Sequence, residues 1–336
     1  MSDGRPRPPM RALVLERLAD DYAGVTVREI ERPEPGPGQV LVRVHAASVN
    51  FPDLLQTRGE YQHKPLLPAV LGLEVAGEVA ALGPGVEGWA VGDTVASAVR
   101  QGGMAEFAIA AVKHLRRKPE RLSFAQAAGL GLTYLTAYVA LVRRARVQPG
   151  EWLLAHGAAG GVGLAAVDLG AALGARVIAA SASDAKLAVL QAEYAPQAVV
   201  NVSGGFREAV KALTGGAGAD VIYDPVGGDV FDESVRCIAF NGRLLSIGFA
   251  SGRRPALPVN LALIKGFSLM GVRAGKYGRR FPEEGRENLD AIWSLAAEGR
   301  IRPRVDREYA LGDWRAAFDS LAGRRVIGKA IIRPDL

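Results

Sequence analysis

The sequence predicts an α/β protein of two domains, one built on a doubly wound parallel sheet and one mostly β. Three observations predict it. Between Glu151 and Lys186 a short apolar run, a glycine cluster, a small-residue helix pattern and a second apolar run follow one another. Strand and helix patterns then alternate singly as far as residue 248. Before residue 115, short β-like runs are broken by Gly and Pro, and helical periodicity is scarce. Strands separated by single helices imply a parallel sheet with helices on both faces.

The glycine cluster organises the parallel part. Trp152 to Ala155 reads as a strand, and Gly157, Gly160, Gly161 and Gly163 follow it. Leu164, Val167, Leu169 and Leu173 take the apolar positions of a helix that Gly174 ends, and Arg176 to Ala180 reads as a second buried strand. Such a unit, within about thirty residues, is the dinucleotide-binding element of a Rossmann domain. Its turn must be small because a pyrophosphate approaches the backbone itself, and the first helix amides then hold the negative charge. By spacing, Gly160 admits the phosphate and Gly163 lets the helix pack on the strand. Ala159, Gly161 and Val162 complete the cofactor-binding turn, and Ala158 stands where a first Gly is usual.

The end of the second strand sets cofactor preference. An Asp or Glu there suits the ribose hydroxyls of NAD and repels a 2′-phosphate. This chain has Ser181, with Lys186 five residues on, which favours NADPH. Asp184 is expected at the N-cap of the next helix.

The chain has 336 residues, 49% of them hydrophobic, and 41 glycines, which suits two folded domains with many tight turns. No apolar run is expected to reach transmembrane length, and MSDGRPRPPM has no apolar signal core, so a cytoplasmic protein is expected. The formal charge of +6 comes from scattered basic pairs such as Arg143-Arg144 and Arg279-Arg280, a poor pattern for nucleic acid. Cys237 is the single cysteine, which excludes an intrachain disulfide and a cysteine-rich zinc site. It is expected inside a helix, facing the core.

In order, Met10 to Leu15, Gly24 to Glu29 and Val40 to Ala46 read as strands, and residues 32–39 as a Pro-rich turn. Ala69 to Leu82 reads as β interrupted by Gly72 and Gly77, and Phe124 to Arg144 as helical. Helices are expected at Asp184–Tyr194, Phe206–Leu213 and Asp229–Phe240, alternating with strands at Ala198–Val202, Asp220–Tyr223 and Arg243–Gly248. Ligands bind at the carboxyl ends of such strands, which places His156, Ser181, Asp224 and Phe249 around one crevice. Phe267 to Val272 reads as a last strand, followed by helices at Glu283–Glu298 and Gly312–Ala322 and a strand at Lys329–Arg333. The tail is expected to return to the first domain.

Four stretches, SVNFPDLLQTRGEY (48–61), LPAVLGLEVAGEV (67–79), GLTYLTAY (131–138) and HGAAGGVG (156–163), together with GRLLSIG and GKAIIRP, carry a resemblance. From Met10 to Pro334 the chain resembles the zinc-free quinone-oxidoreductase branch of the medium-chain dehydrogenase/reductase family. The resemblance implies a GroES-like catalytic domain (residues 1–125 and 273–336) and a Rossmann NADPH-binding domain (126–272). Zinc-dependent relatives have Cys where this chain has Asn50 and His-Glu where it has Leu73-Glu74, and its four histidines lack ligand spacing, so no metal is expected. Asp53 and Glu74 are then structural remnants.

Without a Lewis acid, an electron-poor acceptor such as a quinone is the expected hydride acceptor. Enones, alkenals and enoyl thioesters are the alternative acceptors. A non-catalytic crystallin-like or nucleic-acid-binding relative is the alternative of another class. By resemblance, Asn50, Tyr61 and Arg273 are the catalytic candidates, in a cleft between the domains. Thr133 meets the nicotinamide, Ser246, Gly248 and Phe249 wall it, and Arg324 reaches the phosphate end. Two readings are open for Tyr61, the acceptor or packing on the loop from Pro65 to Pro68, and two for Asn50, the active site or a turn. Leu55 stands where the family often has an aromatic residue, which weakens acceptor stacking there. The apolar edge strand from Phe267 to Val272 predicts a homodimer.

Overall fold

The computed structural model describes residues 7–62 and 64–336; His63 lies outside the described residues. The chain divides into two units, Met1–Leu132 with Pro303–Leu336, and Thr133–Arg302.

The first unit opens with β1 (Pro9–Leu15), β2 (Val25–Glu31) and β3 (Gln39–Ser48). Helix α1 (Phe51–Thr57) follows, a helix that the β-rich reading of this region did not anticipate. Pro52 in its first turn and Asp53 accepting from the Asn50 amide at 2.7 Å start it. Next come β4 (Ala69–Val70), β5 (Glu74–Leu82), β6 (Thr94–Ala98), β7 (Phe107–Ala111) and β8 (Leu115–Arg117). The β run from Ala69 is interrupted at Gly72, where φ is +101° and a Cβ would lie 2.5 Å from the Met104 nitrogen, whereas Gly77, also expected to interrupt it, lies within β5.

Helix α2 (Phe124–Tyr138) runs into a π-helical turn, Val139–Arg144. Contrary to expectation, the combined helix is long and apolar enough to cross a membrane. Of its apolar window 61% is buried within the protein, which is the position of a core helix.

The second unit alternates β9 (Trp152–Ala155), α3 (Gly161–Ala172), β10 (Arg176–Ser181), α4 (Asp184–Tyr194), β11 (Ala198–Asn201), α5 (Arg207–Leu213) and β12 (Ala219–Asp224). It continues with α6 (Gly228–Cys237), β13 (Ile238–Ser246), α7 (Val259–Lys265), β14 (Ser268–Gly271), α8 (Ala274–Arg280) and α9 (Pro282–Ala297). The strands pair in parallel in the order β11-β10-β9-β12-β13-β14, the doubly wound Rossmann order. Leu154, Ile178, Ile222 and Leu244 are register neighbours and form a fully buried row across the sheet. Phe206, Val210, Phe231 and Val235 complete this core.

Three expectations change here. Helix α6 stops at Cys237, because Ile238 is already extended and pairs with Ala219. Cys237 is buried at the helix end, and burial pushes its thiol up to about 12, so it stays protonated and unreactive. The boundary falls at 302/303 rather than 272/273, because α9 packs into the second unit. Its Asn288, Ile292, Trp293 and Ala296 are buried there, and Arg143 donates to Asn288 Oδ1 and to Glu287, both at 2.7 Å. The other boundary falls at 132/133 rather than 125/126, within α2.

The chain then returns to the first unit as β15 (Val305–Ala310), α10 (Trp314–Ala322) and β16 (Lys329–Arg333). This completes a seven-stranded sheet, β15-β16-β3-β5-β6-β8 with β7 on β3, beside a smaller β2-β1-β4 sheet. Trp314 and Phe318 of α10 pack edge-on against Tyr22 at 6.4 and 5.6 Å between ring centroids.

Candidate functional site

In the second unit the turn after β9 is made almost entirely of backbone. Gly157 has φ +56°, and its carbonyl accepts from the Gly160 amide at 2.8 Å. A Cβ on Gly163 would lie 2.1 Å from that same oxygen and 2.9 Å from His156 O, so only glycine lets α3 start so close to the strand. Gly160 is the N-cap of α3 and is exposed, whereas Ala159 is buried and Gly161 and Val162 are half-buried. The helix is apolar at its start and carries no carboxylate in its first turn, which leaves the amide end open to an anion.

At the end of β10, Ser181 is half-buried. The N-cap of α4 is Ser183, not Asp184: Ser183 is extended and its Oγ accepts from the Lys186 amide. Asp184 instead accepts from Asn201 Nδ2 at 2.6 Å. Adjacent Ser and Asp are equally good caps, so sequence alone does not choose between them. Ser246 ends β13, register-paired with Asp224 and Gly271. A Cβ on Gly248 would lie 3.3 Å from Pro225 O, and Phe249 is exposed. Thr133 is buried on α2, and Arg273 is exposed at the N-cap of α8.

Two of the four expected crevice residues turn inward. His156 is fully buried with its Nε2 2.8 Å from Ser234 Oγ and its ring against Phe206; burial pushes it down to about 3, so it is neutral. Asp224 is spent on the turn after β12, accepting from the amides of Val226 and Gly227 at 2.8 and 2.9 Å, while burial raises its carboxyl. A groove of about 540 Å³ lies instead along Gly204–Ala209 and Asp229–Arg236. Glu233 already accepts from the Phe206 and Arg207 amides there, so the start of α5 is satisfied internally.

In the first unit the motifs that carry the resemblance meet as side chains. Lys329 Nζ donates to Asn50 Oδ1 at 2.7 Å and to Val49 O at 3.1 Å. Asn50 Nδ2 donates to Ser48 Oγ at 3.0 Å, and Ser48 Oγ donates to Glu74 Oε2 at 2.7 Å. The other Glu74 oxygen accepts from the Leu132 amide. This one network therefore ties SVN, GLE, GLT and GKA together. Asn50, Asp53, Glu74 and Lys329 are 7%, 0%, 2% and 6% exposed. Glycine is needed where α2 passes: a Cβ on Gly131 would lie 2.9 Å from Glu74 Oε1, and one on Gly129 would lie 3.1 Å from Lys329 Cγ.

Burial dominates the electrostatics of this network. It raises Asp53 to about 7, against the Asn50 amide and Lys329, which lower it. Burial also lowers Lys329, against the pull of Glu74 and Asp53. Asp53 Oδ1 is buried without a hydrogen-bond partner. Sequence reasoning missed Lys329; the signal was a lysine directly before the apolar run AII of the last strand. Of the remaining candidates, Tyr61 is half-buried in the loop after α1. Arg324 sits in the left-handed turn after α10, with φ +54°.

Comparison with known proteins follows this division. Residues 36–120 match the alcohol dehydrogenase GroES-like domain, and residues 161–294 match the zinc-binding dehydrogenase domain. A quinone oxidoreductase-like protein 2 homolog from Nematostella vectensis is 40% identical over 300 residues, 88% of this chain and 82% of that protein. The chain belongs to the quinone-oxidoreductase branch of the medium-chain dehydrogenase/reductase family. Within this branch, the quinone oxidoreductase of Pseudomonas aeruginosa is 36% identical over 93% of the chain and 97% of its own length. A quinone oxidoreductase crystal structure from Pseudomonas syringae superposes with a TM-score of 0.85 at 31% identity, covering 97% of this chain and 100% of that one. The first unit is thus GroES-like, and membership of this branch makes the chain an oxidoreductase.

Proposed function

We propose that this oxidoreductase passes a hydride from NADPH to a quinone without a metal ion. The observation that carries the reading is the Asn50–Lys329 hydrogen bond. In zinc-dependent relatives the position of Asn50 is a cysteine ligand. Here its oxygen is held by a buried ammonium, which repels a dication, and Leu73 supplies no donor at all. Among the described residues no three His, Cys, Asp or Glu side chains converge. This donor set does not fit zinc, so the acceptor must be electrophilic by itself.

When bound, the dinucleotide supplies the hydride. The glycine turn and the first amides of α3 hold its pyrophosphate, with no side chain in the way. Ser181 leaves room for a 2′-phosphate and Lys186 attracts it. Thr133 and the segment Ser246–Phe249 position the nicotinamide. As the acceptor oxygen gains charge, a donor such as Tyr61 or Arg273 stabilises it, and the final proton comes from water.

The protein acts as a cytoplasmic homodimer in this reading. Strand β14 is the sheet edge, and Phe240, Val259, Leu263 and Ile264 beside it are 82%, 80%, 82% and 71% exposed. A second copy pairing along β14 would cover them. Light scattering should give twice 35.4 kDa; a monomer at micromolar concentration removes this part of the proposal.

The deciding experiment is steady-state NADPH oxidation, after exhaustive chelation, with 1,4-benzoquinone, 9,10-phenanthrenequinone and a series of 2-alkenals. Quinone turnover that survives chelation is expected. Loss of activity together with near-stoichiometric zinc overturns the metal-free mechanism, and no turnover with any acceptor leaves the non-catalytic alternative.

A further inference from the structure

Asp168 has no part in the reading above, yet it joins three helices. It lies on α3, the helix that starts at the glycine turn, and is 6% exposed. Its Oδ2 accepts from the Tyr134 hydroxyl of α2 and from the Arg302 amide, both at 2.6 Å. Arg302 is in turn tied to the end of α4. Its carbonyl accepts from the Tyr194 hydroxyl at 2.7 Å. Its guanidinium donates to Glu193 O at 2.8 Å and lies 5.6 Å from the centre of the Tyr194 ring. Tyr134 is the second residue of the second unit and Arg302 is its last, so one carboxylate oxygen fastens both ends of that unit's chain to α3.

Burial raises the Asp168 carboxyl, against the Tyr134 hydroxyl and the amide and charge of Arg302, which lower it. Burial and then the Asp168 charge hold Tyr134 well above the usual phenol range, so its hydroxyl stays a donor. Burying a carboxylate costs solvation, and an apolar side chain of similar volume would pack α3 without that cost. What the carboxylate adds is direction, because a satisfied buried network admits one arrangement of its parts. Those parts carry the proposed cofactor contacts. Thr133, proposed for the nicotinamide, is the neighbour of Tyr134 on α2. The glycine turn proposed for the pyrophosphate opens α3, and Lys186, proposed for the 2′-phosphate, lies on α4. Neighbouring residues of a helix point about 100° apart, so pinning Tyr134 to Asp168 fixes the direction of Thr133.

We propose that Asp168 is a positioning residue for hydride transfer: through Tyr134 it holds Thr133, and with it the nicotinamide, in register with the phosphates bound at α3. The inference rests on the hydride-transfer reading above and adds a residue to it. Buried on α3, Asp168 acts through Tyr134 and not by contact with the reacting atoms. Its loss spares the phosphate contacts and frees the nicotinamide end, so it acts on kcat more than on NADPH affinity.

The test uses three variants. Tyr134→Phe keeps the ring and removes its bond, Asp168→Leu removes both bonds, and Asp168→Asn offers an amide oxygen that can accept both. Turnover of 1,4-benzoquinone gives kcat, and NADPH deuterated at the transferred hydrogen gives the isotope effect on it. Fluorescence titration gives NADPH affinity, and the emission anisotropy of the bound nicotinamide gives its mobility. Tyr134→Phe and Asp168→Leu should lower kcat at least about ten-fold, within the roughly hundred-fold loss that a misplacement of about 1 Å can cause, with NADPH affinity changed by no more than about two-fold. Both should also raise the isotope effect and lower the anisotropy, while Asp168→Asn restores all three values toward wild type. Tyr134→Phe leaves the Arg302 bond in place, so it reports on folded protein even if Asp168→Leu does not fold. A role in stability alone would lower the unfolding midpoint while the folded variants kept their kcat and anisotropy, and that result overturns the inference. So does an Asn variant as impaired as the Leu variant, or weakened NADPH binding with kcat unchanged. The anisotropy measurement needs no acceptor and decides the point even if no quinone is turned over. Wild-type protein that binds no NADPH refutes the cofactor reading itself, and this inference with it.

Discussion

The second unit's glycine turn and the first unit's Lys329 network solve opposite problems. The turn, from His156 to Gly163, is one contiguous stretch in which side chains are removed so that backbone can meet a ligand. The network draws on Ser48, Asn50, Glu74, Leu132 and Lys329, five positions spread over nearly the whole chain, and buries charge to hold its own parts. A site made of backbone is hurt by adding atoms. A site made of buried charge is hurt by taking one partner away, because the partner that remains is left unpaired in low dielectric.

The largest expected effect tests the network. Lys329→Met leaves Glu74 and Asp53 buried without their cation and should cost about 3–5 kcal/mol in urea unfolding. The coupled change Lys329→Met/Glu74→Gln should recover part of that loss. A single variant as stable as wild type would show that the ammonium is incidental.

Adding a methyl group tests the turn. Gly163→Ala places a Cβ against Gly157 O and should destabilise by about 1–3 kcal/mol, as overpacking does. It should also weaken NADPH, measured by fluorescence titration. Normal affinity in this variant means that α3 can retreat without moving the phosphate site.

Lys186→Ala removes a proposed charge-assisted contact worth about 1.5–3 kcal/mol. Its loss should fall on NADPH and spare NADH, and Ser181→Asp should shift preference toward NADH. Equal losses for both cofactors would take Lys186 out of phosphate recognition.

Asp53 sharpens the comparison through pH. Burial raises it from 3.8 to about 7 in the folded state. Below the unfolded value both states carry the proton and folding pays no ionisation penalty. Between about 4 and 7 the unfolded chain has lost the proton and the folded chain keeps it, so stability falls as pH rises. The slope approaches about 1.4 kcal/mol per pH unit at most, and it ends once the folded group ionises. Asp53→Asn should therefore gain on wild type as pH goes from 4 to 7. Parallel stability curves for the two proteins would show that Asp53 is charged at neutral pH in the fold.

The smallest effect is expected from Tyr61→Phe. If the hydroxyl donates to the acceptor oxygen, turnover on quinones should drop about ten-fold, equivalent to about 1.4 kcal/mol, with NADPH affinity unchanged. Unchanged turnover leaves Tyr61 as a packing residue of its loop.

Sequence by itself determined what depends on neighbours in the chain. The alternation of strands and helices from Trp152 to Ser246, the glycine turn and the return of the tail as Lys329–Arg333 were legible, because hydrophobic periodicity and glycine spacing are local properties. So were the substitutions at Asn50 and Leu73, once the motifs around them were matched. Tertiary structure alone decided what happens between distant segments. It turned His156 and Asp224 away from the crevice, since Ser234 and the turn at Val226–Gly227 offered them partners. It set α9 into the second unit through Arg143. It also placed Lys329 on Asn50, 279 positions away, because a buried ammonium goes wherever the fold brings enough oxygen atoms to replace its water.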